Sequence, residues 1–263
     1  MELEERYLRV NDLRIRYVDK GRGKAVLLIH GLGGSIESWT NNIDEISRRM
    51  RVLALDLPGF GWSDKPKMSY TIKFYTRFIA EFVRLLGITR LSLVGSSLGG
   101  QIAAQVALSH PRLVRRLVLI SPVGALPTSF KGTPALKGYV GVTKARSVLQ
   151  VKQALHAVDS KPVDARYARL VYERLMMPGA KEAFLSALSG SANAPRLTSR
   201  LQRIRAPTLV VWGKQDIMIP VKFVEPFVRM KNCRVIMLEG CGHRPQVERP
   251  GLFNRLVLDF LKE

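Results

Sequence analysis

The sequence predicts an α/β fold: a mostly parallel sheet with helices on both faces and one helical insertion. Three observations carry this. Short, near-continuous apolar runs recur along the chain, helical stretches separate most of them, and one long interval, 123–205, interrupts the alternation. Runs without polar alternation mark strands covered on both faces, which is how parallel sheets are buried. The 263 residues suffice for one large domain with an insertion, and 46% hydrophobic with 24% charged residues describes a globular chain.

A hairpin opens the chain, with YLRV at 7–10 and LRIRYV at 13–18 flanking the turn-forming pair Asn11-Asp12. The buried-strand pattern then takes over: AVLLIH at 25–30, RVLALD at 51–56, LSLVG at 91–95, RLVLIS at 116–121, TLVVWG at 208–213 and RVIML at 234–238. The clearest helix is 71–87, where Ile72, Tyr75, Ile79, Phe82, Val83 and Leu86 recur at helical spacing and Gly87 supplies the stop. Others are expected over about 39–50, 98–110, 221–230 and 251–262. Inside the interruption, amphipathic helices are expected over 144–157 and 164–176, punctuated by Pro127, Pro134, Pro162, Pro178 and Pro195. A structureless loop of that length does not suit a compact domain. The expected organisation is therefore a core of 1–122 and 206–263 with a helical cap of 123–205.

The net charge of +21 implies attraction to polyanions, yet no run of five consecutive basic residues and no nucleic-acid-binding motif can be written, so no specific nucleic-acid partner is expected. From Lys131 to Arg205 there are fourteen Lys or Arg against four acids, Asp159, Asp164, Glu173 and Glu182, an excess read as a solvated outer face. An Arg-rich, Asn- and Gln-poor balance is met in some heat-adapted proteins. No apolar run reaches the length of a membrane span, and MELEERYLRV lacks the basic and apolar pattern of a secretory leader, so the expected location is the cytoplasm. Cys233 and Cys241 are read as reduced and structural.

Chemistry concentrates in the loops after the apolar runs. Gly95-Ser96-Ser97-Leu98-Gly99 ends one run and opens a helix, so its glycines allow a sharp turn that exposes Ser97, while Ser96 should point away. A serine hydroxyl needs a base and an orienting acid downstream. His243, in the glycine-rich loop Glu239-Gly-Cys-Gly-His243, suits the base better than His30, His110 or His156. Asp216, after the preceding run, suits the acid better than Asp56, Asp64, Glu239 or Glu248, and gives the chain order serine, acid, histidine. His30-Gly31-Leu32-Gly33-Gly34 can aim a backbone N–H at a developing oxyanion, which assigns the amides of Leu32 and Leu98 to that task and leaves His30 to shape the loop. No metal or organic cofactor is required.

Taken together, HGLGG, DLPGFGWSD, GSSLGG, WGKQD and GCGH resemble the α/β-hydrolase superfamily. The resemblance implies an eight-stranded sheet and a serine hydrolase of the carboxylesterase kind, acting on a small-molecule ester through an acyl-enzyme. Its alternatives are a lactone or C–C bond hydrolase with the same triad, or a slow-turnover ligand receptor on the same fold. Serine at 97 argues against the related epoxide hydrolases and dehalogenases, which attack through a carboxylate. The tail also resembles the C–C hydrolases of aromatic ring-fission products, which usually carry asparagine where this chain has Ser96 and tryptophan where it has Arg244. A pool of apolar residues in the insertion is available to line an acyl pocket: Phe130, Tyr139, Leu155, Tyr172, Met176, Met177, Phe184 and Leu188.

Overall fold

The computed structural model describes residues 4–127, 130, 132–156 and 163–263. Lys131, Asp159, Pro162 and the last residue of the helix expected over 144–157 lie outside these. Eight strands form one sheet: β1 (Glu5–Val10), β2 (Leu13–Lys20), β3 (Ala25–Ile29), β4 (Arg51–Leu55), β5 (Leu91–Ser96), β6 (Val114–Ile120), β7 (Thr208–Gly213) and β8 (Cys233–Leu238), in the order β1-β2-β4-β3-β5-β6-β7-β8. Each matches a run read from the sequence to within two residues at either end. β1 and β2 form the hairpin, where Asn11 and Asp12 both take positive φ, 44° and 66°, as a two-residue turn demands. β2 meets β4 antiparallel, and every later pairing is parallel.

Helices α1 (Thr40–Ser47), α2 (Ile72–Leu85) and α3 (Leu98–Ser109) alternate with the strands. Side chains alternate across each strand, so the interior divides in two. Leu27, Ile29 and Leu93 join Ile79, Phe82 and Ile102 of α2 and α3, whereas Val26, Leu28 and Val94 join Ile43 of α1 and Phe253 near the C-terminus. Burying a side chain such as Phe82 or Phe253 fully stabilises the fold by about 1.5–3 kcal/mol.

Between β6 and β7 lie α4 (Pro134–Val140), α5 (Val148–His156), α6 (Ala165–Leu175) and α7 (Ala180–Ala192). Thr133 caps α4 by accepting from the Leu136 N–H, and Asp164 caps α6 by accepting from the Arg166 N–H. α4 contains a glycine and α7 is largely Ala, Ser and Gly, so neither shows the apolar stripe that singles out α5 and α6. Tyr139, Val151, Leu155, Ala168 and Phe184 of this segment extend the apolar cluster on the α2 and α3 side of the sheet.

After β7 the structure departs from expectation. The helix expected over 221–230 is a 3₁₀ turn, Val221–Val224, followed by one α-turn, α8 (Glu225–Val228). Pro226 explains this, since it has no N–H to bond the preceding turn and its ring crowds a continuing helix. A short α9 (Pro245–Glu248) and the terminal α10 (Pro250–Lys262) complete the chain. No helix among the described residues is long and apolar enough to cross a membrane.

Candidate active site

Parallel strands direct their C-terminal ends to one edge, and β3 with β5 straddles the point where the strand order reverses, where clefts form in such sheets. Ser97 sits there, immediately after β5, with φ 54° and ψ −112°. A serine rarely adopts positive φ, and strain of this kind persists only where neighbours impose it. Its N–H donates to the Ile120 carbonyl at 2.8 Å, and its carbonyl accepts from the Gln101 N–H at 3.1 Å. The glycines of the motif permit the turn sterically: a Cβ on Gly95 would lie 2.3 Å from the Gly99 oxygen, and one on Gly99 would lie 2.2 Å from the Ile29 oxygen. Ser96 is buried, and its hydroxyl accepts from the Gln246 amide at 3.3 Å.

Asp216 and His243 meet across the loops that follow β7 and β8, the Nδ1 of His243 lying 2.8 Å from Oδ2 of Asp216. The other oxygen of Asp216 accepts from the N–H groups of Met218 and Ile219, at 2.9 and 2.8 Å. An ionised carboxylate can only accept, so Nδ1 carries the proton and Nε2 is left as acceptor. The two loops are stitched by Gln215, whose N–H donates to the Cys241 carbonyl and whose side chain accepts from the Cys241 N–H, each at 3.0 Å.

The rival acids have other work. Asp56 accepts from the N–H groups of Ile36 and Trp62 and pairs with Arg16. Asp64 accepts from the Arg14 N–H, and Glu239 pairs with Lys214. Glu248 touches the histidine loop in a way the sequence reading did not anticipate: it accepts from the N–H groups of Gly242 and Arg244, at 2.9 and 3.0 Å, and so braces the backbone on both sides of His243. Its signal was a glutamate at the start of a helix, where a carboxylate can reach back to orphan N–H groups. His110 caps the end of α3 opposite the serine turn, and His156 is the exposed last residue of α5.

His30 fixes the loop after β3. Its Nε2 accepts from the Leu57 N–H at 3.0 Å, so Nδ1 must carry the proton, and Nδ1 lies 2.7 Å from the Gly31 carbonyl. Burial holds the imidazole below its ordinary pKa, which keeps this neutral tautomer. The Gly31 carbonyl also accepts from the Gly34 N–H at 3.1 Å. In a planar trans peptide the Leu32 N–H points opposite to that carbonyl. No backbone acceptor takes the N–H of Leu32 or Leu98 among the described residues, and both residues line the same cavity as Ser97 and His243.

That cavity measures about 590 Å³. Of the pool expected from the insertion, Phe130, Tyr139, Leu155 and Leu188 line it, and Tyr172, Met176, Met177 and Phe184 do not. Tyr139 also donates its hydroxyl to the Leu32 carbonyl at 2.7 Å. A second tie joins the insertion to the same loop. Arg174 of α6 donates to the Ser35 hydroxyl at 2.6 Å and pairs with Glu37 at 2.6 Å, while Arg16 pairs with Glu37 at 2.9 Å. Burial opposes the charge on Glu37, but Arg174 and Arg16 outweigh it and hold the carboxyl well below the usual carboxylate range.

A parallel sheet with a strained serine turn and an Asp–His pair at one edge is the framework of a hydrolase. The family model for the α/β hydrolase fold matches residues 24–250, and the chain belongs to that family. It is 33% identical over 254 residues to the dihydrolipoyllysine-residue acetyltransferase component of an acetoin cleaving system from Cupriavidus necator, matching 94% of this chain and 66% of that relative's length. It is 33% identical over 261 residues to a 2-hydroxy-6-oxo-2,4-heptadienoate hydrolase from Pseudomonas putida, covering 92% of this chain and 91% of the relative. Among solved structures it is similar to one described as a membrane phospholipase A and bacterial virulence factor, with a TM-score of 0.87, 32% identity, and 99% and 86% of the two chains covered.

Proposed function

We propose that this hydrolase is a serine carboxylesterase, with Ser97 as nucleophile, His243 as base and Asp216 as the residue that orients it. The observation that carries the reading is that the strained Ser97 turn and His243, itself hydrogen-bonded to the buried Asp216, line one cavity. Oγ of Ser97 bonds to the ester carbonyl carbon as Nε2 of His243 takes its proton, and the oxyanion is held by the Leu32 and Leu98 amides. Collapse of this adduct breaks the ester C–O bond, and His243 returns the proton to the departing alkoxide. Water then attacks the acyl-enzyme, giving its proton to His243, and Ser97 leaves as the hydroxyl while the acid is released. Residues 123–205 act as a cap on the core of 1–122 and 206–263, walling the cavity on the side opposite the strand ends.

A second reading is hydrolysis of a C–C bond in a dienoate such as that named for the Pseudomonas putida relative. The chain carries Ser96 and Arg244, both in the cavity lining, where the resemblance implies asparagine and tryptophan for that chemistry. A panel of p-nitrophenyl esters from acetate to palmitate, run beside lactones and a ring-fission dienol, decides between them. The expected result is sustained turnover of short or medium esters; faster cleavage of the dienol than of every ester would establish the second reading instead.

A further inference from the structure

The cavity beside Ser97 has Lys137, Arg196 and Arg244 in its lining, and no Asp or Glu among the described residues that line it. Several buried or partly buried cations elsewhere meet carboxylates, Arg16 pairing with Glu5, Glu37 and Asp56, Arg51 with Asp19, and Arg174 with Glu37, whereas the partly buried Lys65 donates to the Gly61 and Ser63 carbonyls. Arg196, an exposed residue, donates to the Leu126 carbonyl at 2.8 Å, a neutral acceptor on the cavity wall, and has no carboxylate partner among the described residues. Lys137 stands on α4 and has no carboxylate partner among the described residues. Arg244, next to His243, lies over the Tyr167 ring and donates to its hydroxyl at 3.1 Å. The lining also includes the apolar side chains of Val123, Phe130 and Leu136. Apolar walls focus the field of one sign of charge and raise the local concentration of its counter-ion.

We infer that the cavity selects esters bearing a second, ionised carboxylate, which Lys137 and Arg196 bind while the ester group meets Ser97. This rests on the proposed reading of the site as an esterase and adds to it the class of substrate.

Two matched pairs test it: mono-p-nitrophenyl adipate against p-nitrophenyl hexanoate, with the carboxylate on the acyl side, and 4-acetoxybenzoate against 4-acetoxybenzamide, with it on the alcohol side. In at least one pair, kcat/KM for the anionic ester should exceed that for the neutral one by about tenfold at low ionic strength. Added salt should shrink that ratio towards unity, because the two cations are exposed enough to be screened. The K137Q/R196Q double variant should lose the preference at low salt. A ratio at or below unity in both pairs, or a preference that neither salt nor the double variant reduces, overturns the inference. Turnover of the neutral esters without anionic preference leaves the esterase reading standing and removes only this one. If no ester is turned over, calorimetry with adipate and adipamide decides the anion site independently of catalysis: adipate binding that the double variant loses supports it, and equal or absent binding of the two overturns it.

Discussion

The floor and the roof of the cavity are held by different kinds of bond. On the floor, the ends of β3, β5, β7 and β8 place the Gly31–Gly34 loop, Ser97, Asp216 and His243; backbone groups bond to Ser97 and to Asp216, as those of Met218 and Ile219 do, and Asp216 in turn holds His243. The roof is helical and is tied to the floor by side chains, notably Tyr139 to Leu32 and Arg174 to Ser35 and Glu37. Strand register cannot shift by one residue without turning every side chain to the other face, so the floor is rigidly specified. Side-chain ties can be exchanged one at a time. The chemistry should therefore be sensitive to single changes on the floor, and substrate choice to changes in the roof.

The sharpest floor test is the acid. Asp216→Asn should cost about 10⁴ in kcat, because an amide no longer fixes the imidazole tautomer, whereas Asp64→Asn, which changes a partly exposed turn, should cost little. Comparable losses, measured with the best ester of the panel, would place the acid elsewhere. Next comes the loop. His30→Ala releases the Gly31 carbonyl and should lower kcat by about 10², in the range of one oxyanion donor, with KM little changed. His30→Asn, whose amide can still donate towards Gly31, should recover part of the loss; equal behaviour of the two variants would mean the imidazole matters only for packing.

The roof tie is expected to cost stability more than chemistry. Arg174→Met should destabilise the fold by about 2–3 kcal/mol in urea unfolding, since it leaves a partly buried Glu37 with one cation fewer. The Arg174→Met/Glu37→Met double variant should cost less than the sum of the two single changes, the sign of direct coupling. Strict additivity would break the tie. The smallest effect is in its pH dependence. Glu37 has a lowered pKa in the folded chain, so its contribution is complete above its ordinary value of about 4.5, shrinks progressively below it and is lost only as pH falls through the much lower value of the folded chain. The Tm gap between the wild type and Glu37→Gln should be constant from pH 7 to near 4.5 and close at lower pH; a gap unchanged at pH 3 contradicts the pairing.

The difference between floor and roof also explains what was legible in the sequence. Ser97, Asp216 and His243 follow apolar runs directly, so strand position alone brought them to one edge, and the glycines beside Ser97 announced the turn. The roof offered no such ruler. Arg174 and Glu37 are far apart in the chain and belong to different elements, and nothing local in either stretch indicates the partner. The same holds for which apolar side chains reach the cavity: Tyr139 does and Phe184 does not, although both are buried aromatic residues of the insertion and their rings are 5.8 Å apart. Glu248 and the break at Pro226 lay between these cases, since helix-start and proline rules reach them once the loop path is known.

The central claim is that Ser97 carries the acyl group, and covalent trapping tests it most directly. The protein is treated with a p-nitrophenyl phosphonate, digested, and the adduct located by fragment-ion mass spectrometry, with Ser97→Ala and Ser96→Ala alongside. The account predicts one phosphonyl group per chain on Ser97, continued labelling at Ser97 in the Ser96→Ala variant, and neither labelling nor turnover in Ser97→Ala, with activity reduced by at least about 10⁴. An adduct on Ser96, or sustained ester turnover by Ser97→Ala, would contradict it.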